Sequence, residues 1–152
     1  MAVLYWLTAK LGLMLALIGY SVTLFWPASG VALTALLIYG LRIWPAIFLG
    51  ALLGNGAAGF LPSMEISCGA TIEAVVGVLL LRRFTDFDLS LGTIRDIFSL
   101  FAVAVFASAI SALNGPFWLA FNGNIPWSAY PSGAAYWWMA MPSALFCLPL
   151  CC

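Results

Sequence analysis

No charged residue follows Asp96: from Ile97 to Cys152 the chain is neutral throughout. Two further stretches, Leu11–Leu41 and Ile43–Met64, are equally bare and are separated only by Arg42. A water-soluble domain needs a solvated polar surface, and charged side chains make up only 7% of this sequence. Hydrophobic residues make up 65%, and the mean hydropathy is +1.13. Lipid must therefore be the solvent for most of the chain. The sequence predicts an all-α integral membrane protein, a bundle of about six transmembrane helices.

At 152 residues there is room for several spans and for no soluble domain before, between or after them, so residues 1–152 read as one helical transmembrane domain. Five Lys+Arg balance five Asp+Glu. That leaves no basic field for nucleic acid and predicts no polybasic patch for anionic lipid. There is no histidine, which removes phosphohistidine chemistry and most zinc and haem sites. Lys10 is the only lysine, and no phosphate-binding loop of the G-x-x-x-x-G-K-[ST] type surrounds it. Cys68, Cys147, Cys151 and Cys152 contain no C-x-x-C pair and read as packing residues. No catalytic residue, cofactor or metal site is expected. The N-terminus has no basic segment ahead of its apolar run, so Met1–Phe25 reads as a retained span and not as a cleaved signal.

Punctuation divides the chain into six apolar stretches. The first runs from about Ala2 to Phe25 and stops at Trp26-Pro27. The second is Ala28–Leu41, and the third follows Trp44-Pro45 and reaches about Phe60, before Leu61-Pro62-Ser63. The fourth, Glu65–Leu81, ends at Arg82-Arg83. The fifth begins near Asp96 and continues to about Leu113, and the sixth covers Ser132–Cys152. The second and third would be about 21–24 Å long as helices, against a hydrocarbon core of about 30 Å. A re-entrant hairpin would bury Arg42 in the bilayer at a cost of several kcal/mol, which favours two true spans.

Six spans put Arg42 and the Arg82–Arg95 segment on one side, which the excess of arginine assigns to the cytoplasm together with both termini. The opposite connections, Trp26–Gly30, Leu61–Met64 and Asn114–Pro131, hold no Lys or Arg. Arg82, Arg83 and Arg95 with Asp86, Asp88 and Asp96 read as local solvated pairs. Gly50 and Gly54, continued by Ala58, form a small-residue strip for close helix contact, and Ala104, Ser108 and Ala112 form another. Trp118, Trp127 and Tyr130 suit an interfacial belt, with Trp137 and Trp138 deeper.

Glu73 is the one acid placed in the middle of a span. A carboxylate there must face the bundle interior and find a partner or stay protonated. Lys10, at a similar depth, is the expected partner. The pair reads either as a device fixing helix register or as a responsive site. Asn55, between Gly54 and Gly56, is expected to hydrogen-bond across helices. Glu73, Lys10 and Asn55 make up the candidate intramembrane polar site.

Three ordered motifs carry a resemblance. Phe25-Trp-Pro-Ala-Ser-Gly-Val-Ala-Leu, Gly40-Leu-Arg-Ile-Trp-Pro-Ala-Ile-Phe-Leu-Gly-Ala and Thr71-Ile-Glu-Ala with Leu81-Arg-Arg-Phe resemble the first class of bacterial membrane-associated sensor domain, the MASE type. The resemblance spans about Tyr5 to Pro149. It implies a helical input module working with a cytoplasmic histidine kinase or diguanylate cyclase, and it marks Trp26, Pro27, Gly30, Gly40, Trp44, Pro45, Gly50, Glu73, Arg82, Arg83 and Trp138 as signature positions. The chain departs from the pattern at Ala70, where Asn is usual, and at Trp137-Trp-Met-Ala-Met, which lacks an aspartate. The family domain is also about twice as long, so the chain reads as its N-terminal half.

These observations together predict a membrane-embedded sensory input module of a bacterial signal-transduction protein, in the inner membrane and possessing no catalysis of its own. The expected partners are the bilayer, an attached or docked output domain and a second copy of the chain. The alternative is a small membrane transporter, or the substrate-binding membrane subunit of one, with Glu73 and Lys10 in a polar pathway.

Overall fold

The computed structural model describes residues 1–14, 26–84 and 92–140, and among them every regular element is helical. The α-helices are α1 (Ala2–Met14), α2 (Pro27–Tyr39), α3 (Trp44–Gly54), α4 (Phe60–Phe84), α5 (Ile94–Phe121) and α6 (Tyr130–Ala140). Short 3-10 turns at Leu41–Ile43, Gly56–Ala58 and Trp127–Ala129 join them. The distal parts of the first and sixth predicted spans, together with Asp86, Asp88, Cys147, Cys151 and Cys152, lie outside the described residues.

Among the described residues, two helices are long and apolar enough to cross a membrane: Phe60–Arg83 and Ile94–Phe121. Both outrun their sequence-based boundaries, because two prolines do not interrupt them. Pro62 lies in the first turn of α4, where no intrahelical N–H bond is lost, so Leu61–Met64 is helix and not a connection. Pro116 lies inside α5, which continues through Asn114-Gly115-Pro116 to Phe121. A proline in the helix interior removes a backbone bond, but neighbouring helices make this tolerable in a membrane bundle. Here α6 brings Gly133 against it: a Cβ on Gly133 would lie 3.5 Å from Pro116 Cβ.

α2 and α3 have 13 and 11 residues, which gives about 20 Å and 17 Å at the helical rise and is shorter than the predicted stretches. Gly40 is one reason. It ends α2 at φ 84, in the region where a Cβ is strained, while its N–H closes the helix on the Leu36 carbonyl. Proline then starts each of the two helices, Pro27 in the first turn of α2 and Pro45 in that of α3.

The helices alternate in direction. α4 packs along α5, α3 and α2, while α1 packs on α3 and α2 and α6 packs on α5. α2 is the central element, with Pro27, Ala28 and every residue from Gly30 to Leu37 buried. Glycines set the closest approaches. A Cβ on Gly50 would lie 2.7 Å from the Ala2 carbonyl oxygen and 2.8 Å from Tyr5 Cβ, and one on Gly54 would meet Ala9 Cβ at 3.0 Å. The Gly50/Gly54 strip is thus the seat of α1. It ends there, because Ala58 belongs to the following 3-10 turn.

One end of the bundle carries Arg42, Arg82, Arg83 and Arg95. Arg82 ties the ends of α4 and α2 together by donating from Nη2 to the Leu37 carbonyl at 3.3 Å. Asp96 sits there too, where the sequence predicts a solvated side chain. It is buried and closes a capping box with Thr93, whose backbone N–H donates to Asp96 Oδ2 at 3.2 Å.

The opposite end carries Glu65 and an asparagine network. Asn114 Nδ2 donates to the Glu65 carbonyl at 2.9 Å, Asn122 Nδ2 to Glu65 Oε2 at 2.9 Å, and Trp118 Nε1 to Asn114 Oδ1 at 3.1 Å. Trp118, Trp127 and Tyr130 form one ring cluster with Phe117 and Phe121, joined by edge-to-face and stacked contacts at 5.2–6.4 Å.

Candidate functional site

The site is built on the face of α4 turned to α5. Gly69, Glu73 and Gly77 follow one another at helical spacing of four, so the carboxyl has a glycine one turn to either side. Gly69 lies against Asn114, and Gly77 lies against Leu33 of α2 and Ala107 of α5. These close contacts bring α5 onto the carboxyl. Glu73 is 7% exposed, and the Ser111 hydroxyl, itself 1% exposed, hydrogen-bonds it. Its second oxygen, Oε2, is buried and has no hydrogen-bond partner among the described residues.

α1 completes the surround through Tyr5, held on Gly50 and 2% exposed. Trp26, at the start of α2, hydrogen-bonds the Tyr5 hydroxyl, and Tyr5 lies within electrostatic reach of Glu73. Since indole nitrogen can only donate, Trp26 Nε1 is the donor. A single carboxyl is thus contacted or faced by α1, α4 and α5, with α2 bracing the tyrosine. Any event that gives Oε2 a partner, or takes Ser111 away, alters the relative free energy of helix arrangements around it.

The structure does not join Lys10 to Glu73. No ion pair links them, and Lys10 is half-exposed. The reason is angular: Tyr5 and Lys10 are five residues apart, about 140° around a helix of 3.6 residues per turn. With Tyr5 turned to the carboxyl and Ala9 seated on Gly54, Lys10 points elsewhere. Asn55 is also apart from Glu73 and does not reach across helices with its side chain. Its Nδ2 donates to Ala51 in its own helix at 2.9 Å, while its backbone carbonyl accepts from Ser63 Oγ of α4 at 2.6 Å.

Several signature positions serve the same architecture. Trp26 braces Tyr5, Gly50 seats it, and Pro27, Gly40 and Pro45 bound the short helices. Gly30 is buried, and its carbonyl accepts from the Thr34 hydroxyl at 2.8 Å. Trp138 Nε1 donates to the Val105 carbonyl at 2.9 Å, tying α6 to α5. Trp44 and Arg83 are exposed, and Arg82 binds α2. Sequence reasoning missed Tyr5 and Ser111. A usable signal existed for Ser111, which stands beside Ala112 at the end of the recognised small-residue strip. Nothing in the local sequence marks Tyr5.

Comparison with known proteins agrees with this architecture. The MASE1 family model matches residues 1–146. No curated protein and no solved structure matches the chain. With nearly the whole chain matched, and with the motif residues occupying the helix boundaries and the surround of Glu73, the chain belongs to the MASE1 family of membrane-associated sensor domains.

Proposed function

We propose that this chain is the membrane-embedded input module of a bacterial signal-transduction protein, possessing no catalysis of its own. It crosses the inner membrane several times with its arginine-bearing end in the cytoplasm, where an attached or docked histidine kinase or diguanylate cyclase reads it. The observation that carries this reading is the buried Glu73 carboxyl, half-satisfied by Ser111 and faced by Tyr5. A polar group inside a membrane bundle is costly, and one with a free bonding position biases whichever helix arrangement satisfies it. Output then takes the form of helix displacement at the arginine end, with no solute flux.

The test is a fusion of the chain to a reporter output domain, with Glu73→Gln compared against the unchanged protein at equal membrane abundance. The reading expects reporter activity to change severalfold and reconstituted vesicles to show no uptake. Unchanged reporter activity, or uptake that depends on Glu73, contradicts it.

A further inference from the structure

The formal charges of the sequence cancel, but the fold separates them. Among the described residues, Arg42, Arg82, Arg83 and Arg95 gather at one end with Asp96, which closes the α5 capping box, whereas Glu65 lies at the far end and Glu73 in the middle. In sequence Asp86 and Asp88 stand between Arg83 and Arg95, so the four arginines exceed the three aspartates of these connections by one positive charge.

Next to this end, α3 and α4 enclose a groove of about 700 Å³ lined by Trp44, Pro45, Phe48, Leu49, Ile72 and Val75, with Cys68 and Thr71 at its far side. The lining is almost wholly apolar. Thr71 contributes little polarity, since its hydroxyl donates to the Ser67 carbonyl at 2.7 Å. Volume and apolar lining suit an apolar ligand. Arg42 precedes Trp44 by two residues and is exposed. On α4, Ile72, Leu79 and Arg83 are all exposed, and steps of seven and four residues place them on one stripe. Arg42 thus stands just before the Trp44 end of the groove and Arg83 two turns beyond Val75 on α4, neither of them ion-paired among the described residues.

We propose that this groove is a binding site for one anionic phospholipid of the leaflet at the arginine end. Its acyl chain lies against Phe48, Leu49 and Ile72, and its phosphate is held by Arg42 and Arg83. Guanidinium forks match phosphate oxygens, and the cytoplasmic leaflet is the one rich in anionic lipid. This site is separate from Glu73, which faces α5 on the other side of α4.

The proposal is tested with the full chain in lipid nanodiscs, by quenching of tryptophan fluorescence with brominated-chain phosphatidylglycerol or brominated-chain phosphatidylcholine. Phosphatidylglycerol should quench at a lipid fraction roughly fivefold or more below that needed for phosphatidylcholine, since one arginine near an anionic headgroup is worth about that factor. Trp44→Phe should abolish the difference, and R42Q/R83Q should equalise the two lipids while circular dichroism stays unchanged. Equal quenching by both lipids in the unmodified protein would overturn the proposal, as would a difference that survives Trp44→Phe. So would efficient Cys68–Cys68 crosslinking between copies after Cys147, Cys151 and Cys152 are changed to serine, because a second copy would then be the occupant.

Discussion

At Glu73 the physics turns on two oxygen atoms. One is bonded by Ser111 and the other has no partner, so the two are not equivalent in what they contribute. Removing the serine hydroxyl leaves a buried carboxyl with no partner on either oxygen. Hydrogen bonds between membrane helices contribute about 0.6 kcal/mol on average, with larger values for well-buried pairs. Ser111→Ala is therefore expected to destabilise the chain by about 1 kcal/mol in detergent unfolding, and Ser108→Ala by less, because Ser108 bonds only the Val105 carbonyl of its own helix at 3.0 Å. Equal effects of the two would show that Ser111 acts only by packing. Tyr5→Phe tests the other side of the site. It removes the acceptor of the Trp26 indole while leaving the ring on Gly50, so unfolding should change little and signalling should change more.

Among the helices, the tightest constraint is the seating of α1 on α3. A methyl group on Gly50 would come within 2.8 Å of Tyr5 Cβ and within 2.7 Å of backbone, whereas one on Gly56 would meet nothing within 4 Å. Gly50→Ala should thus cost roughly 1–3 kcal/mol and displace Tyr5, while Gly56→Ala should be nearly neutral. Thermal unfolding of the two variants in the same detergent checks this contrast. The Gly50/Gly54 strip was legible because small residues at a spacing of four are visible in any sequence. The extents of α4 and α5 were not. Pro62 and Asn114-Gly115-Pro116 have the composition of turns, and only the packing of Gly133 on Pro116 and of Asn114 on the Glu65 backbone explains why the helices persist. The partner of Glu73 was misjudged for a related reason. Depth along the helices can be counted from residue numbers, but the angle that turns Tyr5 inward and Lys10 aside depends on which helix α1 packs against.

For the whole molecule, alternation of helix direction places Arg42, Arg83 and Arg95 at one end and Gly59 and Gly123 at the other. Reporter fusions after Gly59 and Gly123, both outside helices, should therefore read as periplasmic, and a fusion after Arg42 as cytoplasmic. A cytoplasmic signal at Gly59 would mean that α3 and α4 do not cross as the account requires. The helical class and the membrane setting were readable from charge and hydropathy alone, since no other solvent suits such a chain. The gathering of Arg42 and the Arg82–Arg95 segment at one end was legible too, from the alternation of the predicted spans.

The central claim is that the Glu73 carboxyl sets the placement of α1 against α4. It is tested most directly by pulsed electron paramagnetic resonance on spin labels at Leu7 and Leu79, both exposed and on the two helices concerned. The four native cysteines are replaced by serine, and the label-to-label distance is compared with and without Glu73→Gln. The account predicts a shift of roughly 1–2 Å, or a second population, on this substitution. Superimposable distance distributions in two equally folded proteins would contradict it.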